Sequence, residues 1–345
     1  MTVQSTAARA AHDHQLQLTK PPGSLGRLEE VAIWFADRLN EVRPARLRPA
    51  IAVFAADHGV AVEGVSAFPM AVTGQMVANF VAGGAAISVL AREHGATLLA
   101  VDVGVAHPVP IPSGSAARLI SVPVRAGSRN LLHEAAMSAE ECAAAWQAGA
   151  RIASELIAAG HTLLIGGEMG IANTTAAAAL VCALTDADPA AIVGRGTGID
   201  DARHAHKREI VEAALQRAAS AQTAMDWLRE VGGLEIAALA GFYSTAAQAG
   251  VPVLLDGFIS TAAALVAVRN DSAVQRWLLA SHRSAEQGHR HALAALGLQP
   301  LLELDLRLGE ASGAALALPL VQAALTLHRD MATFEEAGVA SGAAP

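Results

Sequence analysis

Short, unbroken apolar runs alternate along this chain with longer segments of helical periodicity, and that alternation restricts the fold more than any other feature. Runs suited to strands occur at Ala50–Asp57, Ala96–Val103, Leu119–Val124, Thr162–Gly166, Val251–Asp256, Trp277–His282 and Leu301–Leu306. Helical periodicity is expected over Gly26–Leu39, Met70–Ala82, Ala139–Ala159, Thr174–Leu184, His204–Ala218, Leu234–Gln248, Ser260–Val268, Ala285–Leu296 and Ser312–Asp330. A strand apolar on both of its faces must be covered on both, which is the condition of a parallel sheet crossed by helices. The fold expected is therefore α/β, with a doubly wound, mostly parallel Rossmann-like sheet. Aromatic residues make up only 3% of a chain that is 53% hydrophobic, so the core is built from small aliphatic side chains that let helices lie close to the sheet.

The charge balance, 24 basic against 32 acidic residues, disfavours a nucleic-acid or anionic-membrane surface but leaves room for a local anion site. No segment approaches 18 uninterrupted apolar residues and the first residues lack the pattern of a signal peptide, so no membrane span and a cytoplasmic location are expected. Cys142 and Cys182 are too few for a disulfide framework and are expected to be buried free thiols. The tail Ala337–Pro345 is expected to fray.

The ends of the apolar runs are chemically unusual. They read Ala56-Asp57-His58-Gly59, Gly166-Gly167-Glu168-Met169-Gly170, Asp256-Gly257, Ser281-His282 and Asp305-Leu306-Arg307-Leu308-Gly309-Glu310. Any one such end is explained by helix capping or a tight turn, but together they point to a polar pocket at the carboxyl edge of the sheet. Two glycine-rich stretches suit anion binding by backbone N–H groups: Gly166 to Thr175, and Gly194-Arg195-Gly196-Thr197-Gly198 followed by Asp200, Asp201 and Lys207. Neither an ATP-binding phosphate loop nor a dinucleotide-binding fingerprint occurs, and the thirteen histidines show no metal-ligand spacing, so neither a cofactor nor a metal is expected.

Seven blocks occur in a fixed order: Lys20-Pro21-Pro22-Gly23-Ser24-Leu25-Gly26-Arg27-Leu28-Glu29, Ala55 to Val60 with Glu63 to Pro69, the two glycine-rich stretches, Val253 to Thr261, Ser281 to Glu286, and Leu304 to Glu310. In this order the chain closely resembles the nicotinate-nucleotide–dimethylbenzimidazole phosphoribosyltransferase family, which builds the lower nucleotide loop of cobalamin. The resemblance covers about residues 16 to 330. It implies transfer of the phosphoribosyl group of nicotinate mononucleotide to a ring nitrogen of 5,6-dimethylbenzimidazole. It also implies a small helical domain made of both chain ends, 1–45 with 311–345, beside an α/β domain over 46–310, and a homodimer.

The same resemblance places the catalytic base on Glu310, where the bland alternative is an acidic residue favoured at a helix start. Glu168 enters the site either beside the developing positive charge or against the ribose. Gly170, Gly194, Gly196, Thr197, Gly198, Lys207 and Arg307 are the expected phosphate and ribose partners. Ser66, Phe68, Met70, Gln75 and Leu308 are implied for the acceptor base, with Phe68 and Met70 alternatively serving as core. Ala172 and Ala311 stand where the family more often has glycine, and Phe68 and Met70 vary its usual S-A-Y-P-Q run. Two other readings stay open at this level: another acceptor (adenine, plain benzimidazole or a phenol), and a nucleotide-binding protein without turnover.

Overall fold

The computed structural model describes residues 5–107, 109 and 114–340. Its strands are β1 (Pro49–Ala56), β2 (Thr97–Gly104), β3 (Arg118–Ser121), β4 (Leu163–Met169), β5 (Val253–Leu255) and β6 (Leu278–Ala280). The helices are α1 (Thr6–Gln17), α2 (Arg27–Leu39), α3 (Val72–Ala82), α4 (Ala86–Glu93), α5 (Ala139–Ala158), α6 (Asn173–Thr185) and α7 (Pro189–Ile192). They continue with α8 (Asp201–Arg217), α9 (Ala224–Val231), α10 (Leu234–Gln248), α11 (Phe258–Asn270), α12 (His289–Ala295), α13 (Ser312–Asp330) and α14 (Phe334–Ala337).

All strand pairs are parallel and the order across the sheet is β3-β2-β1-β4-β5-β6. The central strand shows why its apolar run is unbroken. Ala50, Ala52 and Phe54 of β1 pack in the core under α5, α6, α10 and α11, while Ile51, Val53 and Ala55 pack in the core under α2, α3, α4 and α13. Winding outward in both directions from β1 and β4 leaves a crevice at their carboxyl ends, the usual ligand position in such sheets.

Alanine and glycine set the spacing of the layers. A Cβ on Gly149 of α5 would lie 1.7 Å from the Ala238 carbonyl oxygen, and one on Gly241 of α10 would lie 2.1 Å from that of Trp146. These helices therefore touch backbone to backbone. Residues 72–93 are long and apolar enough to cross a membrane, but they form two helices broken at Gly83, which takes φ +88. Cys142 and Cys182 are buried free thiols.

One expected strand is absent. Leu301–Leu306 makes a single bridge, His282 to Leu302, because Asp305 turns left-handed at φ 53 and breaks the extended run. The segment is held by isolated bonds instead: Leu302 N–H to Ser281 O at 3.0 Å, Arg283 N–H to Leu302 O at 2.8 Å and Ala285 N–H to Leu306 O at 2.8 Å. It sweeps back across the carboxyl edge rather than extending the sheet. The helix expected over Ala285–Leu296 begins only at His289, whose ring accepts the Ser284 N–H (2.8 Å). Helices α1, α4, α7, α9 and α14 fall outside the expected set. Residues 341–345 of the tail lie outside the described residues.

Forcing α5 and α10 apart should be costly, because they meet at glycines. Gly149→Ala is expected to lower stability by roughly 1–3 kcal/mol, as overpacking does in other cores, read as a fall of several degrees in Tm. An unchanged Tm would show that the two helices can separate freely.

Candidate active site

Glu168 is the penultimate residue of β4 and only 6% exposed. The chain then turns through Gly170, whose missing Cβ allows the turn to lie against Ala56 at the end of β1; a Cβ there would be 2.6 Å from the Ala56 carbonyl oxygen. Thr73 Oγ1 accepts the Ile171 N–H (3.1 Å), and Ala172 takes the left-handed region at φ 76 before α6 begins. The Asn173 amide donates to Glu168 Oε2.

Glu310 arrives on a different kind of support. Gly309, Glu310 and Ala311 are all left-handed, at φ 80, 62 and 69, immediately before α13. Two of these are not glycine, at a conformational cost of about 1 kcal/mol each, so the turn needs external restraint. Asp256, at the end of β5 and 1% exposed, accepts the N–H groups of Ala311 (3.1 Å) and Ala314 (3.0 Å). Space for the turn comes from missing side chains: a Cβ on Gly309 would be 2.5 Å from Glu168 Oε1, and one on Gly167 would be 2.7 Å from the Ala311 nitrogen. Ala172 and Ala311, which depart from the family's glycines, both hold the backbone shape that glycine favours.

A cationic corner forms at α8. Lys207 is 1% exposed, and its ammonium donates to Thr174 Oγ1 (2.8 Å) and the Gly194 carbonyl (3.2 Å). The loop after Gly194 closes over it, with Gly196 and Gly198 left-handed at φ 53 and 94. Thr197 Oγ1 accepts the Ala67 N–H (2.9 Å) and lies 3.2 Å from Ser66 Oγ, joining this loop to the segment that carries Phe68. Arg307 donates to the Gly196 carbonyl (3.4 Å) from the other side.

Between these parts lies a cavity of about 420 Å³. Glu310, Glu168, Gly170, Gly196, Thr197, Arg307, Phe68 and Leu308 line it. Lys207 and Gly194 stand behind Thr174, Ser66 stands behind Thr197, and Gly198 lies just outside the wall. Met70 and Gln75 are not brought to it; Val72 and Met76, spaced along the same segment, occupy the wall. Sequence reasoning left out Asn173, Thr174, His282, Ser284 and Glu286, although all five lie in the quoted blocks. A polar residue flanking a glycine turn was the available signal. A larger groove of about 890 Å³ sits at the opposite, amino-terminal edge of the strands and carries Arg46, Arg48 and Arg92 on its rim.

The electrostatics divide the cavity. Burial pushes Glu168 up to about 8, with Glu235, Asp256 and Glu310 adding like charge and the Asn173 hydrogen bond partly opposing. Burial, with Asp256 beside it, pushes Glu310 up to about 7. Lys207 is pushed down to about 8 by burial, against the attraction of Glu286. Behind Gly170, His58 donates to Glu235 at 2.6 Å with both side chains fully buried. Burial opposes the His58 cation, but Glu235 outweighs it and the imidazole is raised. His289 is pushed down to about 3 by burial and His282, so it is neutral; its Nδ1 accepts from Ser284 and its Nε2 donates to Thr261 (2.9 Å). One end of the site can thus hold an anion, the other favours positive charge among carboxyls, and an apolar shelf of Phe68, Val72, Met76 and Leu308 can take a flat ring. Among the described residues no group of three or more His, Cys, Asp and Glu is arranged to hold a metal ion.

The profile of a phosphoribosyltransferase family matches residues 1–339. The nicotinate-nucleotide–dimethylbenzimidazole phosphoribosyltransferase of Chromobacterium violaceum is 57% identical over 340 residues, covering 98% of this chain and 97% of the relative. The protein of that name from Pseudomonas aeruginosa is 53% identical, covering 96% and 93%. The crystal structure of CobT from Thermus thermophilus superposes with a TM-score of 0.93 at 47% identity, covering 98% of this chain and 100% of that one.

A carboxyl raised by folding keeps a proton that the unfolded chain has already lost, so it draws stability down as pH rises through that window. For Glu168 the window runs from the ordinary value of 4.5 to about 8. Tm measured between pH 5 and 8 is expected to fall with pH, and Glu168→Gln is expected to flatten that slope. Parallel slopes in the two proteins would show that Glu168 is ionised throughout.

Proposed function

Because the chain belongs to the nicotinate-nucleotide–dimethylbenzimidazole phosphoribosyltransferase family, we propose that Glu310 is the general base of its reaction. The protein transfers the phosphoribosyl group of nicotinate mononucleotide to 5,6-dimethylbenzimidazole, giving α-ribazole 5′-phosphate and nicotinate. One observation carries the assignment of the base: Glu310 is presented on a restrained turn beside Glu168, next to the apolar shelf, where burial pushes its carboxyl up to about 7.

Neutral dimethylbenzimidazole has one N–H and one lone-pair nitrogen. As the lone pair bonds to C1′, the bond from C1′ to the pyridinium nitrogen breaks and its electron pair stays with nicotinate. The acceptor N–H becomes acidic in that step, and Glu310 takes the proton. A base with its pKa near the working pH is the most effective for such a transfer. Nicotinate leaves a cation as a neutral ring nitrogen and needs no acid.

Glu168, mostly protonated at neutral pH, is assigned to the ribose: its carboxyl can donate to a ribose hydroxyl while Asn173 holds its other oxygen. The 5′-phosphate is assigned to Lys207, the amides of Gly170, Gly194, Gly196 and Gly198, the Thr197 hydroxyl and Arg307. Lys207 already points at Thr174 and Gly194, and an arriving phosphate would hold its proton more firmly. Fixing the phosphate at a distance orients C1′ for attack. The acceptor lies against Phe68 and Leu308, with Ser66 behind Thr197 at the edge of its place. Val72 and Met76, rather than Met70 and Gln75, complete that shelf.

Phe68 is 53% and Leu308 59% exposed at the cavity mouth, which supports a homodimer whose second subunit covers them. Helices α1, α2 and α13, from the two ends of the chain, are assigned as the small helical unit that aims the Glu310 turn. The buried free thiols fit a cytoplasmic location.

The test follows nicotinate and ribazole phosphate by chromatography from purified protein and both substrates. Glu310→Ala is expected to lower kcat by about 100-fold or more, the usual worth of a general base, with nucleotide binding retained; near wild-type rates would sink the assignment. Lys207→Ala is expected to lower both kcat and nucleotide affinity. For the native protein kcat/KM should rise through about pH 7 as Glu310 ionises and fall above about pH 8 as Lys207 loses its proton. A profile flat from pH 6 to 9 would contradict both roles.

A further inference from the structure

The mechanism makes no use of Asp256, yet this residue is one of the best-placed polar groups in the molecule. Its carboxylate is 1% exposed at the end of β5, and each oxygen accepts one N–H from the start of α13: Oδ2 from Ala311 and Oδ1 from Ala314. The residue preceding Ala311 is Glu310, and all three residues of the turn are left-handed. Removing this acceptor would leave two buried N–H groups unpaired at the one place where the backbone is already strained.

The groups around Asp256 are few. His282, after β6, has its Nδ1 4.0 Å from Asp256 Oδ1 and 3.0 Å from Ser281 Oγ. Its ring occupies the space that Gly313 leaves open, where a Cβ would lie 2.1 Å from Nδ1. Burial, opposed by Asp256, keeps His282 below its ordinary value, so it adds no cation near neutrality. Tyr243 of α10 and Glu168 of β4 also sense the Asp256 charge, and both are held protonated mainly by burial. Apart from burial, Asp256 is the influence acting on Glu310.

We propose that Asp256 is a positioning residue for the transfer, acting entirely through Glu310: its two hydrogen bonds clamp the left-handed turn that presents the base, and they hold a like charge directly behind that turn. The proposal rests on Glu310 being the base. Asp256 itself does not line the cavity. Its two effects are separable, because one depends on hydrogen bonds and the other on charge.

The experiment measures kcat and kcat/KM against pH for four full-length proteins. Asp256→Asn keeps the shape but removes the charge and sets an amide NH₂ against one N–H. It is expected to move the acid limb of kcat/KM down from near pH 7 by about one pH unit, the effect of losing a neighbouring like charge, and to lower kcat about tenfold. Ala314→Pro, at the third and fully buried residue of α13, puts a ring carbon where the N–H met Asp256 Oδ1, so that bond is lost and the carboxylate displaced with no charge removed. It is expected to lower kcat with the limb unmoved. Glu310→Gln should abolish the limb; if the limb survives there, the base itself is misassigned. If the limb is lost in Glu310→Gln but stays at its native position in Asp256→Asn, with kcat reduced only as far as the folded fraction is reduced, Asp256 is a helix cap and nothing more. Should Asp256→Asn fail to fold, native kcat in Ala314→Pro overturns the clamp.

Discussion

The active site depends on two backbone segments approaching more closely than side chains permit. Gly167 on β4 and Gly309 before α13 face one another's chains, and a Cβ at either position would collide with Ala311 or Glu168. That contact brings a carboxyl from the end of the fourth strand beside one from the start of the last long helix. The rest of the site is arranged around this contact, with Asp256 restraining the turn from below and His282 filling the space beside Gly313.

Charge is distributed as sharply as shape. Four carboxyl side chains, Glu168, Glu235, Asp256 and Glu310, influence one region, and a single buried ammonium stands at the other. Such a field suits a substrate that is itself bipolar, with an anionic phosphate at one end and a positive charge at the glycosidic carbon. Burial first, and the neighbouring like charges after it, push Glu168 up to about 8 and Glu310 up to about 7. The desolvation that weakens each charge in isolation makes the same groups responsive to a charged ligand.

The α/β class and most helices were legible because apolar periodicity follows burial directly. The unbroken run of β1, for example, is buried on both faces. Strand order was not legible, since every strand reads alike and only tertiary packing arranges them as β3-β2-β1-β4-β5-β6. Leu301–Leu306 misled for a specific reason: alternating leucines read as a strand, whereas Asp305 in the left-handed region makes the segment a loop. Within the site, Glu168 and Glu310 were visible as acids at the ends of apolar runs and Lys207 as a cation after a glycine-rich loop, while the parts expected of them came from the family resemblance. Asp256 was visible as a strand end, but its two N–H donors lie more than fifty positions away, at Ala311 and Ala314, and no local pattern links them. Met70 and Gln75 illustrate the converse, as a motif fixed the segment while helical phase turned Val72 and Met76 inward.

The position of α13 in the chain has a consequence for biosynthesis. This helix covers one face of the sheet, packing Ala314, Ala315, Leu318 and Val321 into the same core as Ile51, Val53 and Ile165. It also begins directly after the Glu310 turn. A nascent chain therefore carries the Lys207 helix well before it carries either the Glu310 turn or the helix that completes this core. A chain that stops before Glu310 lacks both the layer that closes this face of the sheet and one of the two carboxyls that line the cavity.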